Sequence, residues 1–513
     1  MKVKHLHLQN YGRFEDLKID FAPTAEKKSN VTVIVGNNGA GKSQVLQALA
    51  TGLSWFVNGV LDSSGEPTTR TKDDDKFLKL PHEGEYIRQS QIKNTKKNVS
   101  LNLSFLDMND EFKALNVNAT RKDTLKPAVH GTDSNGFSSL IEQYTKLFGD
   151  NREASLPLIA NYTTDRNVEV NNLNASYSFM LKQLSAYKDF LNADSSYDEF
   201  FQWFRDNEDI ENEKQRNQFV AEQEISEVIR SEIRLHALFQ EKSQIESILS
   251  DVENEDKISF HHRLADIIVE INKESQNYND LSMRNNLLKD RVINSKLPSL
   301  NSVRYAIEYF TDFKNVRIRR QGIPTMIVEK DGEELDVNQL SQGEKSLLAL
   351  VGDIARRLSI LNPSLNYPLE GEGVVMIDEV DLHLHPKWQH DLIDKLVATF
   401  PNVQFILTTH SPHVISDRPD ILVYALDDGE LTQVSNVYGE DVNTVLTKVF
   451  DVPIRDPKAQ KDFDKVAELI YQKKFEEAES HILELEKQMP ENLELLRCRL
   501  HLTQAQLAEK KEG

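Results

Sequence analysis

The run NVTVIVGNNGAGKSQVLQALATGL, residues 30–53, constrains this chain more than any other feature. A β-branched apolar stretch feeds a glycine-rich turn, and an apolar-periodic helix follows at once. From Gly36 to Ser43 the residues match G-x-x-x-x-G-K-[ST] in full, in the strand–loop–helix context the motif requires. Gly36, Gly39 and Gly41, with Asn37, Asn38 and Ala40 between them, let backbone N–H groups curl around phosphate oxygens, and the helix start adds partial positive charge. Lys42 is then placed to reach β- and γ-phosphates, and Ser43 to ligate Mg²⁺. The alternative is an ordinary glycine-rich turn before a helix, which leaves all the fixed positions and their flanks to coincidence.

A loop of this kind needs a second, acidic strand to hold the metal, and hydrolysis needs a group that orients water. GVVMIDEVD, residues 373–381, supplies both. Val374 to Ile377 read as a buried parallel strand, Asp378 as the Mg²⁺ ligand and Glu379 as the residue facing the attacking water. The histidines that follow, His383, His385 and His390, offer a second reading as a zinc cluster. They lack H-E-x-x-H spacing and a nearby cysteine, so turn and packing roles are the simpler account.

The stretch between Lys42 and Asp378 is far longer than a compact nucleotide core needs, so something is inserted. Residues 84–106 read as a hairpin and ASLPLIANYTTDR, 154–166, as a core strand ending in a polar loop. From about 185 to 300 the chain is charged, poor in Gly and Pro, and helical in period. Ile225, Val228, Ile229, Ile233, Leu235 and Leu238 fall roughly on one face. The segment is too short and too irregular in heptads for a long coiled coil.

LSQGEKSLLALVGDIARRL, residues 340–358, resembles the signature motif of ABC-type ATPases, with Leu340, Ser341, Gln342, Gly343 and Glu344 opening a helix. The resemblance implies that Ser341 and Gly343 bind the γ-phosphate of ATP held by a second subunit. It also makes His410, at the end of NVQFILTTHSPHVI, the switch histidine that contacts the γ-phosphate, and DLHLHP, 381–386, the D-loop. Arg13 in NYGRFEDLKIDF takes the place of an amino-terminal arginine that touches nucleotide in some relatives; a solvated hairpin residue is the alternative. The metal-binding Q-loop residue stays open between Gln89 or Gln91 and the polar end of NYTTDR.

The opening HLHLQNYGRFEDLKIDF resembles the SMC/RecF/OLD branch, and LPLIANYTTDR, DEFFQWFRDNEDIENE, RRLSILNP and DEVDLHLHPKWQ resemble the Septu antiphage ATPases of the PtuA family, including those carried by retrons. That resemblance implies ATP and Mg²⁺ as cofactors and a homodimer or higher oligomer closed by ATP. It further implies an HNH nuclease of the PtuB kind as partner, and a reverse transcriptase with its retron DNA as further partners. OLD and Gabija relatives continue into a Toprim nuclease; here Asp427, Asp428 and Glu430 read as a hairpin turn, and residues 462–489 and 491–511 as two helical stretches resembling a repeat hairpin suited to gripping a partner.

The expectation is an α/β P-loop ABC-type ATPase head with a mainly parallel sheet. Residues 1–184 form its N-terminal lobe, 185–300 a helical insertion, 301–455 the C-terminal lobe and 456–513 a helical partner-binding segment. Three function classes follow: regulatory ATPase of an antiphage complex, RecF/SMC-like repair ATPase, and ATP-binding scaffold. The 61 Lys and Arg against 82 Asp and Glu, net −21, exclude a general DNA coat. A local strip of Lys314, Arg317, Arg319 and Arg320 with Lys93, Lys96 and Lys97 keeps DNA open as a partner; the alternative is a solvated strand face paired with nearby acids. The single cysteine, Cys498, allows no internal disulfide, and with no signal peptide or long apolar run the expected location is cytoplasmic, without a membrane partner.

Overall fold

The computed structural model describes residues 1–63, 84–121, 130–151, 153–164, 183–251, 257–292, 300–435, 437–453 and 455–512. Its centre is a six-stranded sheet in the order β14-β13-β3-β12-β11-β7. These strands are β3 (Val31–Val35), β7 (Leu158–Tyr162), β11 (Gly373–Ile377), β12 (Val403–Thr409), β13 (Leu422–Asp427) and β14 (Glu430–Gln433). All neighbours are parallel except the β13–β14 hairpin. Every residue of β3, β7, β11 and β12 is buried, as strands covered on both faces must be. The mainly parallel α/β architecture is therefore as expected.

Helix α1 (Lys42–Ser63), buried at nearly every position, lies between this sheet and a second one. The second sheet is antiparallel, in the order β2-β1-β4-β5-β6, from β1 (Lys2–Gln9), β2 (Asp16–Asp20), β4 (Asn98–Leu106), β5 (Phe112–Thr120) and β6 (His130–Asp133). A Cβ on Gly52 would lie 2.9 Å from Leu103 Cδ2, so glycine sets how closely α1 approaches β4. Helix α2 (Asn135–Asp150) packs on α1 and β5.

The hairpin expected over 84–106 is not there. Only 98–106 is a strand, and its hairpin partner is β5, further along the chain. Ile87 and Ile92 are both sunk in the core on either side of a tight turn at Gln89–Gln91, which draws the segment inward instead of extending it.

Helices α3 (Tyr197–Asp251) and α4 (Lys257–Val292) occupy the charged middle region. They run antiparallel, with Arg263 pairing with Glu241 and Arg234 with Glu274. Leu235, Leu238 and Leu264 pack with Ile245, Ile267 and Ile271 in a small seam, whereas Ile233, placed on the apolar face by periodicity, is 65% exposed. The side chains of Ile225, Val228 and Ile229 lie outside the described residues. Helix α5 (Leu300–Thr311) leads into a three-stranded sheet of β8 (Lys314–Arg319), β9 (Thr325–Lys330) and β10 (Glu333–Asp336). Then come α6 (Gln342–Leu361), α7 (Pro386–Thr399), α8 (Pro412–Ser416) and α9 (Val442–Val449).

The tail forms three helices, not two stretches: α10 (Pro457–Tyr471), α11 (Phe475–Gln488) and α12 (Leu493–Glu512). The unexpected break falls at Lys473, which takes φ +60°, while the Lys474 N–H closes the turn on the Leu469 carbonyl. The three helices share their own cluster around Val466, Ile482 and Leu495.

Candidate nucleotide-binding site

The phosphate-binding loop joins the C-terminal end of β3 to α1. Gly36 is fixed as glycine by its surroundings, since a Cβ there would lie 2.1 Å from the Leu426 carbonyl oxygen, and Gly41 takes φ +111°. The Gly41 carbonyl accepts the first helical bonds, from Gln44 and Val45, so the N–H groups just before them face outward at the helix start. Lys42 folds back over the loop: its Nζ donates to the carbonyls of Gly36 (2.9 Å) and Asn37 (3.2 Å). Asn38 and Ser43 are exposed beside it. Arg13 borders the same loop, with its Nη1 3.7 Å from a Cβ built on Gly39, and it pairs with Asp428 at 3.3 Å.

Parallel pairing brings the other motifs to the same edge. β12 lies between β3 and β11, so Asp378 and Glu379 after β11 and His410 after β12 emerge beside the loop. Lys42 Nζ donates to His410 Nε2 at 2.9 Å, because an ammonium has only protons to give and the ring nitrogen must accept. Burial lowers the His410 pKa and the Lys42 charge lowers it further, so the ring is neutral at pH 7. Burial also pulls Lys42 down, against the attraction of Asp378, Glu379 and Asp381. Glu379 Oε1 stands 4.0 Å from His410 Nε2, beyond hydrogen-bond length.

Thr408 and Thr409, which carried no role in the sequence reading, hold the carboxylates. Thr408 Oγ1 donates to Asp378 Oδ1 (2.5 Å) and accepts the Glu379 N–H (2.7 Å). Thr409 Oγ1 donates to Asp381 (2.5 Å). The pair of hydroxyls at the end of β12 was the available signal. Glu379 itself sits at φ +45°, a left-handed turn that an L side chain adopts only under constraint.

The signature segment caps α6. Ser341 is the N-cap, and its Oγ accepts the Glu344 N–H while Glu344 reaches back to the Ser341 N–H. A Cβ on Gly343 would lie 2.1 Å from the His383 carbonyl, so this helix start rests on the 381–386 loop of its own chain, with Gln342 opening the helix between Ser341 and Gly343.

The histidines do not cluster for zinc. His385 N-caps α7, His390 pairs with Asp417 at 3.1 Å, and no group of three metal-ligating side chains occurs among the described residues. Gln91 is spent on its own turn, its Oε1 accepting the Arg88 N–H (2.6 Å) and its carbonyl the Gly12 N–H (2.6 Å). Gln89 donates to the Thr120 carbonyl at 3.4 Å; Asp165 and Arg166, the end of NYTTDR, lie outside the described residues. Five of the seven residues of the basic strip are paired: Arg317 with Glu334, Arg319 with Asp336, Arg320 with Glu208 and Asp209, and Lys93 and Lys96 with Glu15, while Lys314 and Lys97 are exposed.

Residues 1–415 match the AAA ATPase domain family. The chain belongs to it. This ATPase is 30% identical over 493 residues to the Retron Ec83 probable ATPase of Escherichia coli, covering 93% of this chain and 81% of that one. Over 137 residues, 24% of this chain and 19% of the other, it is 32% identical to the Septu protein PtuA of Bacillus mycoides (strain KBAB4). It also resembles the Smc head domain bound to the C-terminal domain of ScpA from Pyrococcus furiosus, at 14% identity and TM-score 0.40, covering 85% of this chain and 96% of that one. The expected likeness to retron-carried and Septu ATPases is thus met, and the ATPase binds nucleotide. Among the described residues no helix is long and apolar enough to cross a membrane.

Proposed function

We propose that this ATPase is the regulatory subunit of an antiphage defence complex, in which ATP-driven closure of two heads controls a separate HNH-type nuclease chain in a retron setting with reverse transcriptase and retron DNA. The single observation that carries the catalytic part is the meeting of Lys42, His410 and Glu379 at one sheet edge, from three motifs far apart in sequence. The defence setting is supported by the likeness to the Retron Ec83 probable ATPase along nearly the whole chain. The three tail helices α10, α11 and α12 suit a docking role for the partner chain.

In this reading the loop N–H groups and Lys42 hold the β- and γ-phosphates, and Arg13 touches the nucleotide from the side of Gly39. Ser43 and Asp378, a hydroxyl and a carboxylate, form the hard-oxygen donor set that suits Mg²⁺ alongside phosphate oxygens. Held there, the ion would neutralise phosphate charge. Glu379 orients the attacking water, and neutral His410 offers a hydrogen bond toward the γ-phosphate. Ser341 and Gly343 of a facing head complete the site, so each closed dimer holds two composite sites.

Subunit mixing tests this arrangement. Lys42→Ala and Ser341→Arg should each abolish turnover, the first through lost phosphate binding and the second by blocking closure. A heterodimer of the two has one doubly defective site and one intact site, so mixing should restore ATPase activity to at most about half of wild type if the sites act independently. Neither activity nor ATP-dependent closure after confirmed subunit exchange would refute facing heads. Placed in the native locus, both variants should also lose protection against phage plaquing; full protection by either would refute control of defence by ATP-driven closure.

A further inference from the structure

Ser341 directs both of its protons at one carboxylate of its own chain. Its N–H donates to Glu344 Oε2 at 2.9 Å and its Oγ–H to the same oxygen at 2.7 Å. These are the groups that the facing head's γ-phosphate would meet in the reading above, so an incoming phosphate must draw the hydroxyl away from Glu344 and then sit beside that carboxylate. Two like charges so close repel, the more strongly where water is partly excluded, and Glu344 is buried.

The other carboxylate oxygen is held from outside the motif. Lys330, the last residue of β9, donates from Nζ to Glu344 Oε1 at 2.6 Å. Burial pushes the Glu344 carboxyl up, but the hydrogen bonds from Lys330 and Ser341 outweigh it and keep the group ionised. Lys330 is itself held in place. The sheet that carries it is pinned at β8, where the Ile318 N–H donates to Glu208 Oε2 at 2.9 Å and Arg320 pairs with the same buried carboxylate. Glu208 belongs to α3 and is also gripped by Arg304 of α5.

We propose that Lys330 is a positioning residue for ATP hydrolysis: its ammonium neutralises and fixes the Glu344 carboxylate, freeing the Ser341 hydroxyl to turn to the γ-phosphate of the facing head. The proposal rests on the facing-heads reading. It assigns Lys330 no contact with the nucleotide bound in its own head. Its removal therefore affects closure and turnover, not occupancy of the phosphate-binding loop.

The test uses the full chain with Glu379→Gln in the background, so that ATP is retained, and measures the ATP concentration that half-closes the dimer by light scattering. A fluorescent ADP analogue, which lacks the γ-phosphate, reports loop occupancy separately. Lys330→Met should leave ADP-analogue binding unchanged and raise the half-closing ATP concentration by about tenfold, the scale of one charge-assisted hydrogen bond. Lys330→Arg, which keeps the charge, should stay near the parent. Adding Glu344→Gln to Lys330→Met should recover closure, because the unneutralised carboxylate is then gone. A merely structural lysine would show no such recovery, so a double variant no better than Lys330→Met overturns the proposal. Closure by Lys330→Met at the parent's ATP concentration overturns it too, while leaving facing heads intact. Failure of the parent itself to close overturns both.

Discussion

Glu379 is held by its backbone as much as it is presented by its side chain. Its N–H is tied to Thr408 Oγ1, its φ is +45°, and its carboxylate stands 4.0 Å from a His410 ring that burial and Lys42 keep neutral. The carboxylate therefore stands beside the neutral His410 ring at the sheet edge without a hydrogen bond to it. Glu379→Gln keeps the volume and the backbone bond to Thr408 but removes the carboxylate proposed to orient the attacking water. ATP binding should persist, since Lys42 and Asp378 remain, and turnover should fall by about 10²-fold or more. Phosphate release at the wild-type rate by the purified variant would remove Glu379 from the mechanism.

At the scale of elements, α6 is joined to the sheet through charge as well as apolar packing. Asp353, fully buried, accepts from Arg356 (2.6 Å), Arg357 (2.7 Å) and the Tyr162 hydroxyl (2.8 Å), and Arg357 reaches on to the Ala186 carbonyl. Tyr162 closes β7, and its carbonyl accepts the Asp378 N–H at 2.9 Å, so the signature helix and the acidic strand share one anchor. Asp353→Asn would strand two arginines in the interior and should cost about 3–5 kcal/mol, read as a lower melting temperature. Burial opposes ionisation of Asp353, yet the two arginines hold its pKa below the ordinary range. The stability it contributes is present above the unfolded carboxyl pKa and lost as pH falls through the lower native value, so the variant should also lose that acid limb. Unchanged melting would show that the anchor carries no load. This junction also marks how far the sequence could be read. β3, β11 and β12 were legible because strands buried on both faces are continuous apolar runs, and each motif of the candidate site is local to the end of such a run. The antiparallel second sheet was not, because β1 and β4 become neighbours only in the fold, nor was the helix break at Lys473, which has no Gly or Pro to announce it. Thr408 acts on a carboxylate 30 residues away and Lys330 on one 14 residues away, and such partners are set by tertiary packing alone.

For the whole molecule the question is whether an acidic protein with a net charge of −21 carries a real track for DNA. In the most basic run, Lys314 to Arg320, the three arginines have their positive charge returned to the protein's own carboxylates. Arg317 meets Glu334 and Arg319 meets Asp336 across the small sheet, and Arg320 is committed to the buried Glu208. Lys93 and Lys96 both lean on Glu15. A phosphate would have to displace these pairs, and the surrounding negative field discourages its approach. Arg317 and Arg319 therefore serve to tie the strands of the three-stranded sheet together, and Arg320 to fix that sheet to α3. Replacing Arg317, Arg319 and Arg320 by Ala should lower the melting temperature, chiefly by exposing the loss at Glu208, and leave the salt dependence of any DNA binding unchanged. Were the strip a phosphate track, each lost contact would flatten the slope of log K against log salt by roughly 0.9. A measured flattening near three such steps, in a variant that remains folded, would reverse the assignment and make this sheet the molecule's DNA-facing surface.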